Sequence, residues 1–223
     1  MTANMNIVTA VSAIILLFWL LRSEYTGNTV RRLQTKTALS LFFVLAALGQ
    51  SHPIPMYYQL ILTGLLFCMA GDVFLALPHE KTFLFGLISF LFGHIFYIAG
   101  FFSLAKASYM AISGYFIIAC VSGGVYLWLK PHLGSMKLSV LLYTCVISIM
   151  LSGALTIFFN PALNRQGRIM VFIGALLFYI SDLFVAKDHF LEEKFTNPLF
   201  CLPLYYTGQF LIAFSVGFLN WKM

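Results

Sequence analysis

Charge is what this chain has least of. Aspartate, glutamate, lysine and arginine make up 9% of its 223 residues, while 61% are hydrophobic and 17% aromatic. A soluble domain carries about 25% charged residues, and no water-facing shell can be built from so few. That excludes an ordinary soluble enzyme, and the apolar content excludes a disordered chain. The four cysteines, at 68, 120, 145 and 201, form no CxxC pair, which argues against cysteine zinc sites and disulfide scaffolds. No GxSxG elbow, HExxH, P-loop or GxGxxG fingerprint occurs, so the usual signatures of those chemistries are missing. Strand-like alternation is missing too. A run such as Leu84-Phe85-Gly86-Leu87-Ile88-Ser89-Phe90-Leu91-Phe92 is continuously apolar, unlike the alternating segments of about ten residues in a membrane barrel. The thirteen basic residues outnumber the seven acidic ones. They sit between apolar stretches rather than in a stripe, which points to membrane topology and to no nucleic-acid partner.

What is present is a series of apolar segments near 5–21, 37–50, 57–77, 83–103, 108–129, 138–159, 168–187 and 198–220. A membrane helix needs about 20 predominantly apolar residues. The spacing predicts an all-α polytopic membrane protein with eight transmembrane helices, residues 1–223 forming a single integral membrane domain. The second segment is the shortest and ends at Gln50-Ser51-His52-Pro53-Ile54-Pro55, where proline stops a helix. Short loops predict antiparallel neighbours. Lysine and arginine counting sets the orientation. The loops after segments 1, 3, 5 and 7 hold nine basic residues and the opposite side holds Lys106, Arg165, Arg168 and Lys222. That excess places the first set in the cytoplasm and both termini outside.

The chain also echoes itself. Gly64 to Leu77 aligns with Gly174 to Lys187, matching Gly64 with Gly174, Leu66 with Leu176, Asp72 with Asp182, Phe74 with Phe184 and Ala76 with Ala186. Gly93-His94 then falls opposite Gly208-Gln209. Four helices separate the two copies, which predicts a 4+4 parallel repeat, residues 1–107 and 108–223, about an axis along the membrane normal. Chance similarity between two apolar helices is the alternative.

Of the acidic residues, Glu24, Glu80, Asp188, Glu192 and Glu193 fall in loops or at segment ends, and only Asp72 and Asp182 fall inside apolar segments. An aspartate near mid-membrane costs about 2.5–3.5 kcal/mol on the insertion scale, so it faces the bundle interior or a wet cavity. Each lies five residues from the end of its segment, or about 7.5 Å along a helix, which sets both carboxyl groups at one depth. They are the candidate catalytic residues. The alternatives are helix-to-helix hydrogen bonding, with Gly71 and Ser181 permitting close contact, or a proton or ion pathway. His94 and Tyr97, three apart, share a helix face, as do Tyr205, Tyr206 and Gln209. These five are the candidate substrate-binding or supporting residues. A lone buried histidine is more often structural than a ligand, and interfacial tyrosines are often anchors. His52, His79, His132 and His189 fall at loops or segment ends. A zinc site needs three or four convergent ligands, so no metal and no cofactor is expected.

Gly71-Asp72-Val73-Phe74-Leu75, His94 with Tyr97, Ser181-Asp182, and Tyr205-Tyr206 with Gln209 together resemble the YhhN-like family, the lysoplasmalogenases, along nearly the whole chain. The resemblance implies hydrolysis of the vinyl-ether bond of a lysophospholipid, the lysoplasmalogen, within membrane lipid. The products would be a fatty aldehyde and glycerophosphoethanolamine or glycerophosphocholine. A vinyl ether hydrolyses by protonation at carbon, which asks for one carboxylic acid and one carboxylate. A low dielectric and a neighbouring carboxylate favour such a split pair in general, as in glycoside hydrolysis. His94, Tyr97 and Gln209 would hold the pair or the water. The competing class is a non-enzymatic lipid or small-solute carrier, whose mark would be unwound half-helices at the midplane.

The charge bias makes a prediction about topology. A reporter fused after Met223 should be active only on the non-cytoplasmic side. Activity in the cytoplasm would require an odd number of spans or an inverted bundle.

Overall fold

The computed structural model describes residues 3–78, 80–106 and 108–222. His79, Ala107 at the expected repeat boundary, and Met223 lie outside them. The described residues form eight α-helices: α1 (Ala3–Tyr25), α2 (Thr29–Leu48), α3 (Pro55–Ala76), α4 (Glu80–Phe102), α5 (Tyr109–Leu129), α6 (Lys137–Phe158), α7 (Arg165–Phe190) and α8 (Thr196–Phe218). Two 3₁₀ turns, Lys130–His132 and Gly134–Met136, join α5 to α6. No strand occurs among the described residues.

Seven of the helices, all but α2, are long and apolar enough to cross a membrane. The chain is a multi-pass membrane protein. The exception has a physical cause. Apolar patterning placed the second segment at 37–50, but α2 begins at Thr29, capped by the Asn28 side chain accepting from the Arg31 N–H at 3.0 Å. Its first turns therefore carry Arg31, Arg32 and Lys36. With 20 residues it is still about 30 Å long, and it packs against α1, α3 and α8. It ends before the Pro53 turn, and α3 starts on Pro55 at its first position, where the missing N–H costs nothing.

Two pairs, α3 with α4 and α7 with α8, pack most closely. Each crosses at facing glycines. A Cβ built at Gly93 would lie 3.1 Å from the Gly64 carbonyl oxygen, and one at Gly208 would lie 2.7 Å from that of Gly174. Lipid is as apolar as leucine and supplies no hydrophobic drive between helices, so close backbone approach through small residues does that work. Around these pairs, α6 lies on α4 and α7, and α2 lies on α3 and α8. α5 rests chiefly on α6 and buries only Ala111, Ser122 and Leu129. The core runs from Leu39 and Phe43 on α2 through Leu65, Tyr97 and Phe178 to Tyr206 on α8.

The segments differ from the helices mainly at their ends. α7 continues to Phe190 rather than stopping near 187, because Lys187, Asp188 and His189 extend it past the apolar stretch. Asp72 thus sits about one turn from the end of its helix and Asp182 just over two turns.

The crossings predict a contrast in stability. Gly208→Ala should lower the melting temperature in detergent, since its Cβ meets backbone rather than a movable side chain. Gly123 on α5 meets nothing within 4 Å, and Gly123→Ala should stabilise by about 0.5–1 kcal/mol through helix propensity. Equal effects of the two would contradict the crossing.

Candidate active site

Asp72 is buried on α3, with 2% of its surface exposed. Gly71 lets the Phe90 ring of α4 pack against the helix just before it; a Cβ there would stand 2.7 Å from that ring. The Oδ2 of Asp72 accepts from the Tyr205 hydroxyl of α8 at 2.6 Å and from Ser40 Oγ of α2 at 2.6 Å. Ser40 Oγ also lies 2.9 Å from the Lys36 carbonyl oxygen. Its one proton serves either acceptor, so a protonated Asp72 can donate to Ser40 while Ser40 donates to Lys36.

Asp182 stands on α7, its side chain 16% exposed. Its Oδ2 accepts from the Tyr143 hydroxyl of α6 at 2.6 Å. His94 Nε2 of α4 lies 3.0 Å from that hydroxyl and 3.5 Å from Oδ2. Because Tyr143 spends its proton on the carboxylate, it accepts from His94, which places the imidazole proton on Nε2. His94 Nδ1 is buried and has no hydrogen-bond partner among the described residues. The ring is fully buried and packs on Phe178, centroid to centroid 4.6 Å.

Both carboxyl groups line one inner cavity of about 100 Å³, walled by apolar side chains such as Leu87, Phe90, Ile147 and Leu202. In each, Oδ2 is held by a phenol, and Oδ1 makes no hydrogen bond among the described residues. Of the five candidate supporting residues, Tyr205 touches Asp72 and His94 touches Asp182. The other three do not reach a carboxyl group. Tyr97 donates to Gln209 Oε1 at 2.7 Å, joining α4 to α8, and Tyr206 reaches the Lys36 carbonyl at 3.4 Å. Gly64 is the reason for the first: with no side chain there, the Tyr97 ring packs against α3, where a Cβ would stand 2.6 Å from its Cδ1, and its hydroxyl passes on to α8. Among the described residues no three histidine, cysteine or carboxylate side chains converge as a metal-ligand set.

Ser40 and Tyr143 escaped the sequence reading, as did Lys36, which lines the same cavity. Tyr143 is one of eleven tyrosines and no charge accompanies it. α2 and α6, the helices preceding each aspartate helix, each supply a hydroxyl.

Comparison with known proteins identifies the family. Residues 31–216 match the YhhN family. The chain belongs to the YhhN family. It is 28% identical over 191 residues to a lysoplasmalogenase of Mycobacterium bovis, covering 83% of this chain and 69% of that protein. It is 31% identical over 157 residues to human lysoplasmalogenase TMEM86A, covering 70% of this chain and 64% of that one, and 29% identical over the same length to the Bos taurus protein of that name. No solved structure matches. As a YhhN-family member with relatives of these names over most of its length, the chain is a lysoplasmalogenase-like membrane enzyme.

The Tyr97–Gln209 bond makes a prediction. Tyr97→Phe alone or Gln209→Leu alone leaves a buried partner unsatisfied and should cost about 1–3 kcal/mol. The double variant should recover most of that loss in a thermal-melting series. Additive losses would mean that the two groups do not depend on one another.

Proposed function

We propose that this YhhN-family chain hydrolyses the vinyl-ether bond of lysoplasmalogens by acid/base action of Asp72 and Asp182, giving a fatty aldehyde and glycerophosphoethanolamine or glycerophosphocholine. The observation that carries this reading is the pair itself: two carboxyl groups in an apolar cavity, each clamped through one oxygen with the other oxygen left for chemistry.

One carboxylic acid delivers its proton to the alkene carbon remote from oxygen, leaving an oxocarbenium ion. The other, as carboxylate, stabilises that charge and takes a proton from the water that adds to the oxygen-bearing carbon. The hemiacetal then returns its hydroxyl proton to the site, the glycerol oxygen leaves with a proton, and the aldehyde is released. Tyr205 and Ser40 orient Asp72, and Tyr143 with His94 orients Asp182. No step needs a cofactor. The alkenyl chain leaves past α5, the helix held chiefly by α6, whose Val125 and Leu129 line the cavity.

The 4+4 parallel repeat within one domain, 1–223, draws support from the same contacts. Gly64 with Gly93 and Gly174 with Gly208 are matched crossings. Each aspartate takes a donor from the helix before it; Asp72 takes a second from α8, while α4 of the other close pair places His94 3.5 Å from Asp182. The lysine and arginine bias still favours a site opening to the cytoplasm with both termini outside. A carrier would be favoured by unwound half-helices at the aspartates, whereas α3 and α7 run unbroken through both.

Asp72→Asn and Asp182→Asn should each fold, because an amide oxygen still accepts the tyrosine hydroxyl. Each should lose about 10²–10⁴-fold in turnover of lysoplasmalogen, the range of general acid–base catalysis. His94→Ala should lose less. Near-normal turnover in either asparagine variant would end the paired mechanism.

A further inference from the structure

Beside the inner cavity lies a larger one of about 530 Å³, lined by Arg32, Lys36, Glu24, Asp188, Glu193 and Asn197 among others. The two cavities meet at Lys36, which with Leu75, Phe83, Val185, Cys201 and Leu202 lines both. Lys36 is 8% exposed. Its ammonium forms no hydrogen bond or ion pair among the described residues, and the opposite charge within Coulombic reach is Asp72 of the inner cavity. A lysine is almost never this buried unless paired, because leaving a buried charge unmatched is costly. Arg32, four residues earlier and so on the same helix face, reaches the same outer cavity. It is tethered to Glu24 at 3.5 Å and to the Ala76 carbonyl at 3.4 Å, and its Nε is buried without a partner. Asn197, 1% exposed, likewise has an unpartnered Oδ1 on that wall. The outer cavity therefore presents Lys36 at its junction with the inner one, Arg32 on its wall, and Glu24, Asp188 and Glu193 with Lys194 around the rest, which complements a phosphodiester followed by an ammonium.

We propose that Lys36, assisted by Arg32, binds the phosphodiester of the lysophospholipid and so sets the register of the vinyl ether against the aspartate pair. The proposal rests on the hydrolase reading. It gives that reading a reason for a phospholipid rather than a plain ether lipid. Only the glycerol backbone separates the phosphate from the vinyl-ether oxygen. A phosphate fixed where the two cavities join therefore leaves the alkene inside the inner one. The ammonium end of the headgroup points outward toward Glu24, Asp188 and Glu193.

The test compares a 1-alkenyl-glycerophosphoethanolamine with the matching 1-alkenylglycerol, which has no phosphate. Lys36→Met should lower the ratio of kcat/KM for the two by about 10- to 100-fold, the scale of one charged hydrogen bond, with the change in KM for the phospholipid. Arg32→Gln should move the ratio the same way by less. Lys106→Met, remote from both cavities, should leave it in place. Equal losses on both substrates, or no loss on either, would overturn the phosphate site and leave Lys36 as a counter-charge for Asp72 or a packing residue. A second arm does not need turnover. Glycerophosphoethanolamine should raise the melting temperature of the wild-type protein in detergent by ligand linkage and should not raise that of Lys36→Met. Inorganic phosphate at equal concentration should raise the wild type less. A shift kept in Lys36→Met overturns the site, as does no shift with either ligand. An equal shift by inorganic phosphate overturns recognition of the headgroup. If the wild type hydrolyses neither ether, the hydrolase reading fails, while the melting arm still decides the phosphate site.

Discussion

Two carboxyl groups have to be kept inside an apolar bundle, and the arrangement of the helices follows from how that is done. An aspartate costs up to about 2.5–3.5 kcal/mol at the bilayer centre on the insertion scale, and less toward a helix end, where Asp72 stands. A hydrogen bond to a charged group returns about 1.5–3 kcal/mol. Asp72 accepts two hydroxyl donors and Asp182 one, with His94 behind it, so the debt and the return are of one size. The donors sit on different helices from their acceptors: α2 and α8 must stand at Asp72, and α6 and α4 at Asp182. The glycine crossings make this reach possible by drawing α3 onto α4 and α7 onto α8. Polar clamping and small-residue packing are thus parts of one solution.

In the proposed mechanism the same clamps prepare the chemistry. A carboxyl held at one oxygen by a phenol cannot rotate freely, so its other oxygen points where the scaffold aims it. Catalytic groups fixed this way need no reorganisation as charge develops. The inner cavity is walled mainly by apolar side chains around the two carboxyl groups. The larger polar cavity beside it, joined at Lys36, is where the rest of an amphiphile finds complementary charge.

Much of this was legible from the residues. The two lone intramembrane acids, the matched glycines, and the proline-bounded start of α3 follow from composition and spacing, and the structure brings Asp72 and Asp182 to one cavity. Apolar scanning misplaced the start of α2, because helices do not end where hydrophobicity does: Arg31, Arg32 and Lys36 are helical but charged. Tyr97 and Gln209 share the right faces, yet one turn of helix separates a residue that touches the carboxyl pair from one that braces it. Tyr143 and Ser40 were hidden for another reason. Hydroxyl-bearing residues are common in membrane helices, and only tertiary contact singles out the ones that meet an acid.

The proposed hydrolysis turns on protonation at carbon, and isotopic labelling reads that step directly. Hydrolysis of a lysoplasmalogen by the purified protein in heavy water should place one deuterium on the carbon next to the aldehyde, faster than unlabelled aldehyde exchanges under the same conditions. An aldehyde that acquires deuterium no faster than the exchange control would contradict proton delivery by the Asp72–Asp182 pair.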